Sequence, residues 1–272
     1  MGCIIAAAAR RVHNGAIRLV GATIVALLLA SRATSLADPP ASPAPDVEGA
    51  PSPQRVLSMI EARYRSHPTP PFETYTLSRS QFTAAGSLDF TNSYVKHVWL
   101  RTSDRAALTR MTRGAGEIGS LSFDRPAFNE PRDPGPPTAD MFPAGTADYR
   151  VDSLAVEGEQ LHLRLMPLRE PDRNRLREIF ADRTTYELRK LVATDRLFID
   201  RGPTYPVTFM LTLSMVQDTP VVAALHGTVG GNYNDDGKEV DYAFTDIAFP
   251  PTLPDWYFDP ATYGKHGRDA PN

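Results

Sequence analysis

The sequence predicts a mostly β protein (α+β), with about ten to eleven antiparallel strands in one curled sheet or open barrel behind a single short helix. Three observations lead to this class. Apolar side chains recur with a period of two along much of the chain after residue 70. Helical spacing occurs in one short stretch before that point, and no strand–helix–strand rhythm is present. Alternation of this kind marks strands with one apolar and one wetter face, which is typical of antiparallel sheets.

The helix is predicted to begin at Ser52, an N-cap residue that is followed by Pro53 at the first helical position. His67 and Pro68 predict its end, because a residue that precedes proline is disfavoured in the helical conformation. The apolar positions between these bounds have helical spacing: Val56, Leu57, Ile60 and Tyr64. We expect this short amphipathic helix to lie against the sheet.

The predicted strands are of two kinds. Segments rich in β-branched and aromatic residues come first: 72–79, 92–101, 106–112 and 121–123. Later segments alternate strictly between apolar and polar side chains: 161–166, 209–215 and 240–245. Turn-forming residues at 182–185 and 234–237 predict hairpin turns between strands.

The first 37 residues have the features of a secretory signal peptide. Arginines precede an apolar or small-residue run of 12 residues at 19–30, and Ser35-Leu36-Ala37 supplies a small-x-small cleavage site. The run is shorter than the about 20 apolar residues that a membrane-spanning helix needs. We expect cleavage near Ala37 and a periplasmic or other extracytoplasmic location. The alternative is an uncleaved N-terminal anchor that leaves the protein facing the periplasm.

The remaining chain divides into three predicted parts. Residues 38–51 are rich in proline and are predicted to be a disordered spacer. Residues 52–262 are predicted to be a single β domain, and residues 263–272 a flexible C-terminal tail. Within the domain, Asn129–Pro143 contains five prolines and no periodic pattern. This long loop is predicted to be either a surface excursion or a lid.

Composition excludes several classes of function. Cys3 is the only cysteine and lies in the predicted signal peptide, so the mature protein would have no disulfide and no thiolate nucleophile or ligand. Loss of residues 1–37 would leave 25 basic against 32 acidic residues, a net charge of −7. Nucleic-acid binders are expected to be basic on at least one face, so nucleic acid is not an expected partner. We also expect no cofactor.

No catalytic residues and no metal ligands are predicted. The stretch Gly114–Gly119 has the letters of a dinucleotide-binding fingerprint, but a strand is predicted after it where the mechanism needs a helix. The stretch from Asn232 imitates a calcium loop, yet Ala243 stands where a bidentate Glu is required. The histidines lack metal-ligand spacing, and no G-x-S-x-G elbow is present. We expect a protein that is not an enzyme, with an uncharacterised hydrolase as the alternative.

The apolar strand rows are the candidate binding site. They present more apolar surface than one short helix can cover, so that a curved sheet would keep a pre-formed apolar cavity. The opposing interpretation is that the same rows are ordinary core. The candidate ligand-binding residues are Leu161, Leu163, Leu165, Phe180, Phe209, Leu211, Leu213, Tyr242 and Phe244.

Three stretches resemble the LolA/LolB-like superfamily of periplasmic lipoprotein carriers. Residues 119–128 resemble the family's strand with a glycine, alternating apolar residues and Arg-Pro. Residues 176–190 are similar to its hairpin, in which an Asp ends one strand and a Thr starts the next. Residues 244–258 resemble its last strand and tail. The aromatic-rich continuation after Arg-Pro is missing, and the Pro-rich loop is extra.

The resemblance implies an open β half-barrel whose concave side, closed by helices, holds acyl chains. It therefore predicts a monomeric periplasmic binding or carrier protein for a lipid, a lipoprotein acyl chain or another apolar ligand. The expected partner is that apolar ligand or an acylated protein. Other relatives of the fold are envelope-stress sensors, so the alternative is a non-enzymatic protein-interaction or stress-sensing domain with an envelope protein as its partner.

Overall fold

The computed structural model describes residues 51–83, 85–114, 121–122, 134–142, 145–171, 174–198, 204–230 and 239–266. The predicted signal peptide, nearly all of the predicted spacer, most of the fingerprint-like and calcium-like stretches and the end of the tail lie outside the described residues. In chain order the elements are α1 (Pro53–Arg65), β1 (Phe72–Phe82), β2 (Leu88–Arg101), β3 (Ala106–Gly114), β4 (Leu121–Ser122), β5 (Tyr149–Glu157), β6 (Gln160–Pro167), β7 (Leu176–Asp182), β8 (Leu188–Phe198), β9 (Thr204–Val216), β10 (Thr219–Val229), β11 (Glu239–Ala248) and α2 (Pro260–Tyr263), with 3-10 turns at Asp255–Phe258 and Gly264–His266.

The eleven strands form one antiparallel sheet in the order β4-β3-β2-β1-β11-β10-β9-β8-β7-β6-β5. The chain therefore starts in the interior of the sheet at β1 and runs outward to β4. It then crosses to the opposite edge at β5 and returns strand by strand until β11 pairs with β1. The predicted fold class is confirmed: the protein is mostly β, with an open antiparallel sheet and one helix before it.

Helix α1 defines the two faces of the sheet. Its buried side chains, Val56, Leu57 and Ile60, pack in one cluster with Leu163 and other strand residues. We call this side the inner face and the opposite side the outer face. Because directly opposed residues of paired strands share a face, one inner row runs from β6 to β11 through Leu163, Ile179, Leu191, Leu211, Leu225 and Tyr242.

The sequence signals for α1 act as predicted. The Ser52 hydroxyl accepts a hydrogen bond from the backbone N–H of Arg55 at 3.3 Å, and Pro53 occupies the first helical position. The last turn carries Arg63 and Arg65, which suit the negative end of the helix dipole. Within the described residues, no helix has the length and hydropathy that crossing a membrane requires.

The C-terminal segment packs on the outer face of β1, β2 and β3 through aromatic contacts. The ring of Trp99 meets Tyr257 edge-on at a centroid distance of 6.4 Å, and Phe72 stacks on Phe258 at 6.2 Å. Tyr263, which was predicted to begin a flexible tail, is 7% exposed and ends helix α2. The packed chain therefore extends beyond the predicted boundary at residue 262, because the tail has aromatic residues that cover the outer face.

Candidate functional site

The pairing register separates the nine predicted ligand-binding residues. Eight of them lie on the inner face, either in the row that contains Leu163, Leu211 and Tyr242 or two residues away from it on the same strand. Phe180 lies on the outer face, because it follows the inner residue Ile179 by one position. Its ring stacks on His162 at 4.1 Å, and the Lys190 Nζ lies 3.9 Å from its centroid. Phe180 is therefore not part of the inner site.

One part of the inner face is a closed core beneath α1, and we call it the helix-covered region. It contains four of the predicted residues, each at most 7% exposed: Leu161, Leu163, Leu165 and Leu213. Leu57 and Ile60 of α1 are 0% exposed against it. The space around these four side chains is filled by other side chains of the protein, as the ordinary-core interpretation predicts.

The described part of the Pro-rich loop, residues 134–142, also packs inside the protein. The Val222 N–H donates a hydrogen bond to the Pro137 carbonyl at 2.8 Å, which fixes the segment to β10. The Tyr64 hydroxyl of α1 donates to the Ala139 carbonyl at 3.1 Å. Phe142 is 1% exposed, and Met141 packs both against the cluster beneath α1 and against a second cluster that contains Tyr75 and Tyr242. This segment therefore covers the inner face beside α1.

The residues after that segment are held by charged groups of α1. Glu61 accepts hydrogen bonds from the N–H and the hydroxyl of Thr146, and Arg65 donates to Glu61 at 2.9 Å. Burial acts to raise the pKa of Glu61, but the hydrogen bonds from Thr146 and Arg65 outweigh it, so the pKa is lowered. The ionised form of Glu61 is thus the one that binds this connection.

A buried carboxyl group ties the same segment to β1. Glu73 is 0% exposed, and the Thr138 hydroxyl donates to its Oε2 at 2.8 Å. Its Oε1 has no hydrogen-bond partner within the described structure. Burial raises the pKa of Glu73 to about 7, against the lowering effect of the hydrogen bonds from Thr138. No sequence pattern marked Glu73, because its partner lies 65 positions along the chain.

Beyond this cover, the inner face is incompletely shielded. Five apolar or aromatic side chains there are only half-buried in the folded chain, and we call them the half-buried region: Tyr94, Phe209, Leu211, Leu225 and Val240. Tyr242 and Phe244 form its floor and are each 5% exposed. Four predicted residues therefore belong to this part of the inner face: Phe209, Leu211, Tyr242 and Phe244.

A cleft of about 370 Å³ lies at the C-terminal end of α1. Polar and charged side chains line much of it, including Arg65, His67, Thr138 and Asp140. Arg65 is already engaged by Glu61 and by the Phe142 carbonyl. The chemistry of this cleft therefore differs from that of the predicted apolar cavity.

On the outer face, His97 lies close to a hydroxyl group and a carboxylate. The Thr76 hydroxyl donates to Asp246 at 2.9 Å and lies 2.8 Å from the His97 Nδ1. A hydroxyl has a single proton to donate, so His97 must be the donor in its contact and does not act as a base toward Thr76. The described residues contain no group of His, Cys, Asp and Glu side chains arranged to hold a metal ion.

Comparisons with known proteins find similarity among solved structures. No family model matches the sequence, and no curated protein is similar to it. Among solved structures, a LolA superfamily protein from Nitrosomonas europaea is 11% identical with a TM-score of 0.43, covering 76% of this chain and 98% of that chain. A domain from Vibrio parahaemolyticus described as outer membrane lipoprotein-sorting is 13% identical at 0.44, covering 76% and 97%. A DUF1329 family protein from Desulfovibrio piger is 10% identical at 0.42, with the same coverage. Similarity this distant assigns no ligand to this chain.

Proposed function

We propose that this chain is an extracytoplasmic binding or carrier protein for a lipid, a lipoprotein acyl chain or another apolar ligand, which occupies the half-buried region. One observation carries the proposal. The inner face continues past the cover of α1 and residues 134–142, and its side chains there remain half-buried although the chain is folded. Contiguous apolar surface that a folded chain leaves in contact with water is typical of interaction and ligand sites.

The energetics favour a ligand with a flexible apolar chain. Each half-buried side chain that a ligand covers contributes on the order of 1 kcal/mol through removal of apolar surface from water. Phe209, Leu211 and Leu225 lie on the adjacent strands β9 and β10, with Leu211 directly opposite Leu225. An acyl chain laid across these strands would contact them together, so the contributions add along its length.

The proposal gives different roles to the predicted residues. Leu161, Leu163, Leu165 and Leu213 pack with α1 and stabilise the fold. Phe209, Leu211, Tyr242 and Phe244 would contact the ligand. The proposal describes a monomeric protein that binds and releases its ligand without chemical change, so it needs no catalytic group.

The proposed location rests on the N-terminal sequence. Residues 1–37 would direct export and be removed near Ala37, and residues 38–51 would act as a spacer before α1. If the leader is retained, the same domain would stay anchored to the membrane and face the periplasm. Either form would place the half-buried region where exported lipids and acylated proteins are found.

A protein-interaction or stress-sensing role is less well supported. In that function, the Pro-rich loop would serve as an exposed contact element. Pro137 and Phe142 of this loop are instead among the most deeply buried side chains of the protein. The described part of the loop thus contributes to the interior, which favours the ligand-binding function.

Native mass spectrometry tests the proposal. The full-length chain is expressed with its own N-terminus in a bacterium and purified without detergent, and bound lipid is then extracted. We expect the wild-type protein to carry an extractable apolar ligand, and the mass of the protein itself reports leader cleavage. Leu225→Gln should carry about fivefold less ligand, because one apolar contact worth about 1 kcal/mol is lost.

Leu168→Gln is the matched control, because Leu168 is 61% exposed and lies outside the inner face. It should carry as much ligand as the wild type. Wild-type protein free of any apolar adduct, or equal amounts of ligand in the two variants, would contradict the proposal. Co-purification of a membrane protein in place of lipid would favour the interaction role.

A further inference from the structure

Arg79 brings a guanidinium group onto the inner face beside the half-buried region. On β1 it lies directly opposite Tyr242 of β11 and Tyr94 of β2, and both are inner-face residues. The carbon of the guanidinium lies 5.8 Å from the Tyr242 ring centroid and 5.9 Å from that of Tyr94. Arg79 is itself half-buried, so that water screens its charge only in part.

The acceptors that Arg79 contacts are all neutral. Its Nε donates to the Tyr242 hydroxyl at 3.2 Å, its Nη1 to the Asn92 carbonyl and its Nη2 to the Gln81 side-chain oxygen. These bonds use only part of the donor set of a guanidinium. Among the described residues, no carboxylate lies within ion-pairing distance of Arg79. The guanidinium of Arg79 therefore has hydrogen-bond partners but no counter-ion among the described residues.

The acidic group on which the charge of Arg79 acts is already hydrogen-bonded to other residues. Asp89 senses the charge of Arg79, but a side-chain hydrogen bond from Asn92 is the main reason that its pKa is lowered. One of its oxygens accepts from the Thr91 N–H at 2.9 Å and the other from Asn92 Nδ2 at 2.7 Å. Glu73, the buried acid of the same strand, is six positions from Arg79, or roughly 20 Å along an extended strand.

Lys96 adds a second cation on the same face. It lies on β2 opposite Leu77 of β1 and Met111 of β3, and its Nζ is 5.4 Å from the Tyr94 centroid. Arg79 and Lys96 thus flank one aromatic ring. The whole chain has a formal net charge of −3, so this pair of cations beside an apolar surface is a local feature and not a consequence of overall composition.

We propose that Arg79 and Lys96 bind the phosphate of an acidic phospholipid whose acyl chain lies along Phe209, Leu211 and Leu225. This inference rests on the proposed function and adds the class of ligand to it. A guanidinium binds two phosphate oxygens in a planar fork, and an ammonium group serves a third as a point charge. A phosphate has enough oxygens to meet both cations, whereas a carboxylate offers two. Placing the headgroup here directs the apolar chain onto the half-buried region.

Calorimetric titration of the full-length protein with short-chain lipids tests the subsite. Dioctanoyl phosphatidylglycerol and dioctanoylglycerol have the same acyl chains, and only the first carries a phosphate. We expect the wild type to bind the phosphatidylglycerol at least about tenfold more tightly, a difference of about 1.4 kcal/mol. Arg79→Gln should remove most of this preference and leave the affinity for dioctanoylglycerol unchanged. Added salt should weaken binding of phosphatidylglycerol only.

Two further variants keep the test decisive. Arg164→Gln removes the same charge from an exposed position of the outer face and should retain the full preference. Lys96→Gln removes the second cation and should reduce the preference about threefold. This variant can test the subsite even if Arg79→Gln does not fold. Thermal unfolding of each variant shows whether it is folded.

The outcomes separate the subsite from the function. Equal affinity of the wild type for the two lipids would overturn the phosphate subsite. The proposal that the half-buried region binds an apolar chain would still stand. Failure to bind either lipid would overturn both. Octanoate that binds as tightly as phosphatidylglycerol, and only when Arg79 is present, would show a carboxylate site and contradict the assignment of phosphate.

Discussion

The helix-covered and half-buried regions belong to the same face of the same sheet, yet they have different surroundings. Leu163 and Leu225 occupy one continuous inner row, each on a strand whose next residue points to the outer face. Leu163 is 0% exposed beneath the cover of α1, whereas Leu225 is only half-buried. The difference teaches that strand periodicity assigns a side chain to a face, and that a separate element decides whether it becomes core or site.

Paired leucine truncations give the largest expected effect. Leu163→Ala should lower the free energy of unfolding by about 2–5 kcal/mol, because it opens a cavity in a closed core. Leu225→Ala removes the same atoms from a half-buried position and should cost about 1 kcal/mol. Urea denaturation of both variants measures the two losses.

Binding of the apolar ligand should show the opposite pattern in the same two leucine variants. Leu225→Ala should weaken it, while folded Leu163→Ala should retain the wild-type affinity. Similar losses of stability in the two variants would show that the two regions are one continuous core, and the distinction between them would disappear.

The pH dependence of stability probes the cover itself. The pKa of Glu73 is raised from 4.5 to about 7 by burial, so the folded state holds its proton more tightly than the unfolded state. This group's contribution to stability is therefore complete below pH 4.5 and is lost as the pH rises through about 7. The loss is at most about 3 kcal/mol. In Glu73→Gln, the free energy of unfolding relative to wild type should therefore rise by that amount between about pH 5 and about pH 8.

Chemical denaturation at several pH values measures the effect of Glu73. Glu159→Gln is the matched control, because Glu159 is exposed and the same substitution there should leave the pH dependence unchanged. A Glu73→Gln variant whose stability follows the wild-type pH profile would show that Glu73 titrates as in water. The segment 134–142 would then not be held over the inner face by a buried carboxyl group.

The features that the sequence predicted correctly are local ones. Ser52 and Pro53 are adjacent to the helix that they start, and the period of two in residues 161–166 is visible within one strand. Phe180 shows where local pattern fails. It stands in an apolar run, Ile179-Phe180-Ala181, in which either set of alternate positions could face inward. Only the register against His162 and Lys190 places it on the outer face.

The features that the sequence did not predict depend on contacts between distant segments. The segment 134–142 has no periodic pattern, because its position is fixed by Val222 on β10 and Tyr64 on α1 and not by its own side-chain spacing. Likewise, the strand pattern placed Arg79 beside polar residues, and its position between two tyrosine rings follows from the pairing of β1 with β2 and β11. The division of the inner face therefore required the three-dimensional structure.

Gly227 allows the half-buried region to be altered from within the sheet, with the smallest expected effect. A Cβ at this position would lie 2.6 Å from Cε1 of Phe209 and 3.0 Å from Cγ1 of Val240. Gly227→Ala should therefore push the Phe209 ring away and lower the free energy of unfolding by about 1–3 kcal/mol, as overpacking does. The control is Gly264→Ala, because no atom lies within 4 Å of a Cβ built there.

Binding of the apolar ligand gives a second test of the same two variants. Because Phe209 belongs to the half-buried region, Gly227→Ala should also weaken binding of the apolar ligand, whereas Gly264→Ala should not. If Gly227→Ala lost stability but bound ligand as the wild type does, Phe209 would be a packing residue. The ligand would then contact only Leu211, Leu225 and their neighbours in the half-buried region.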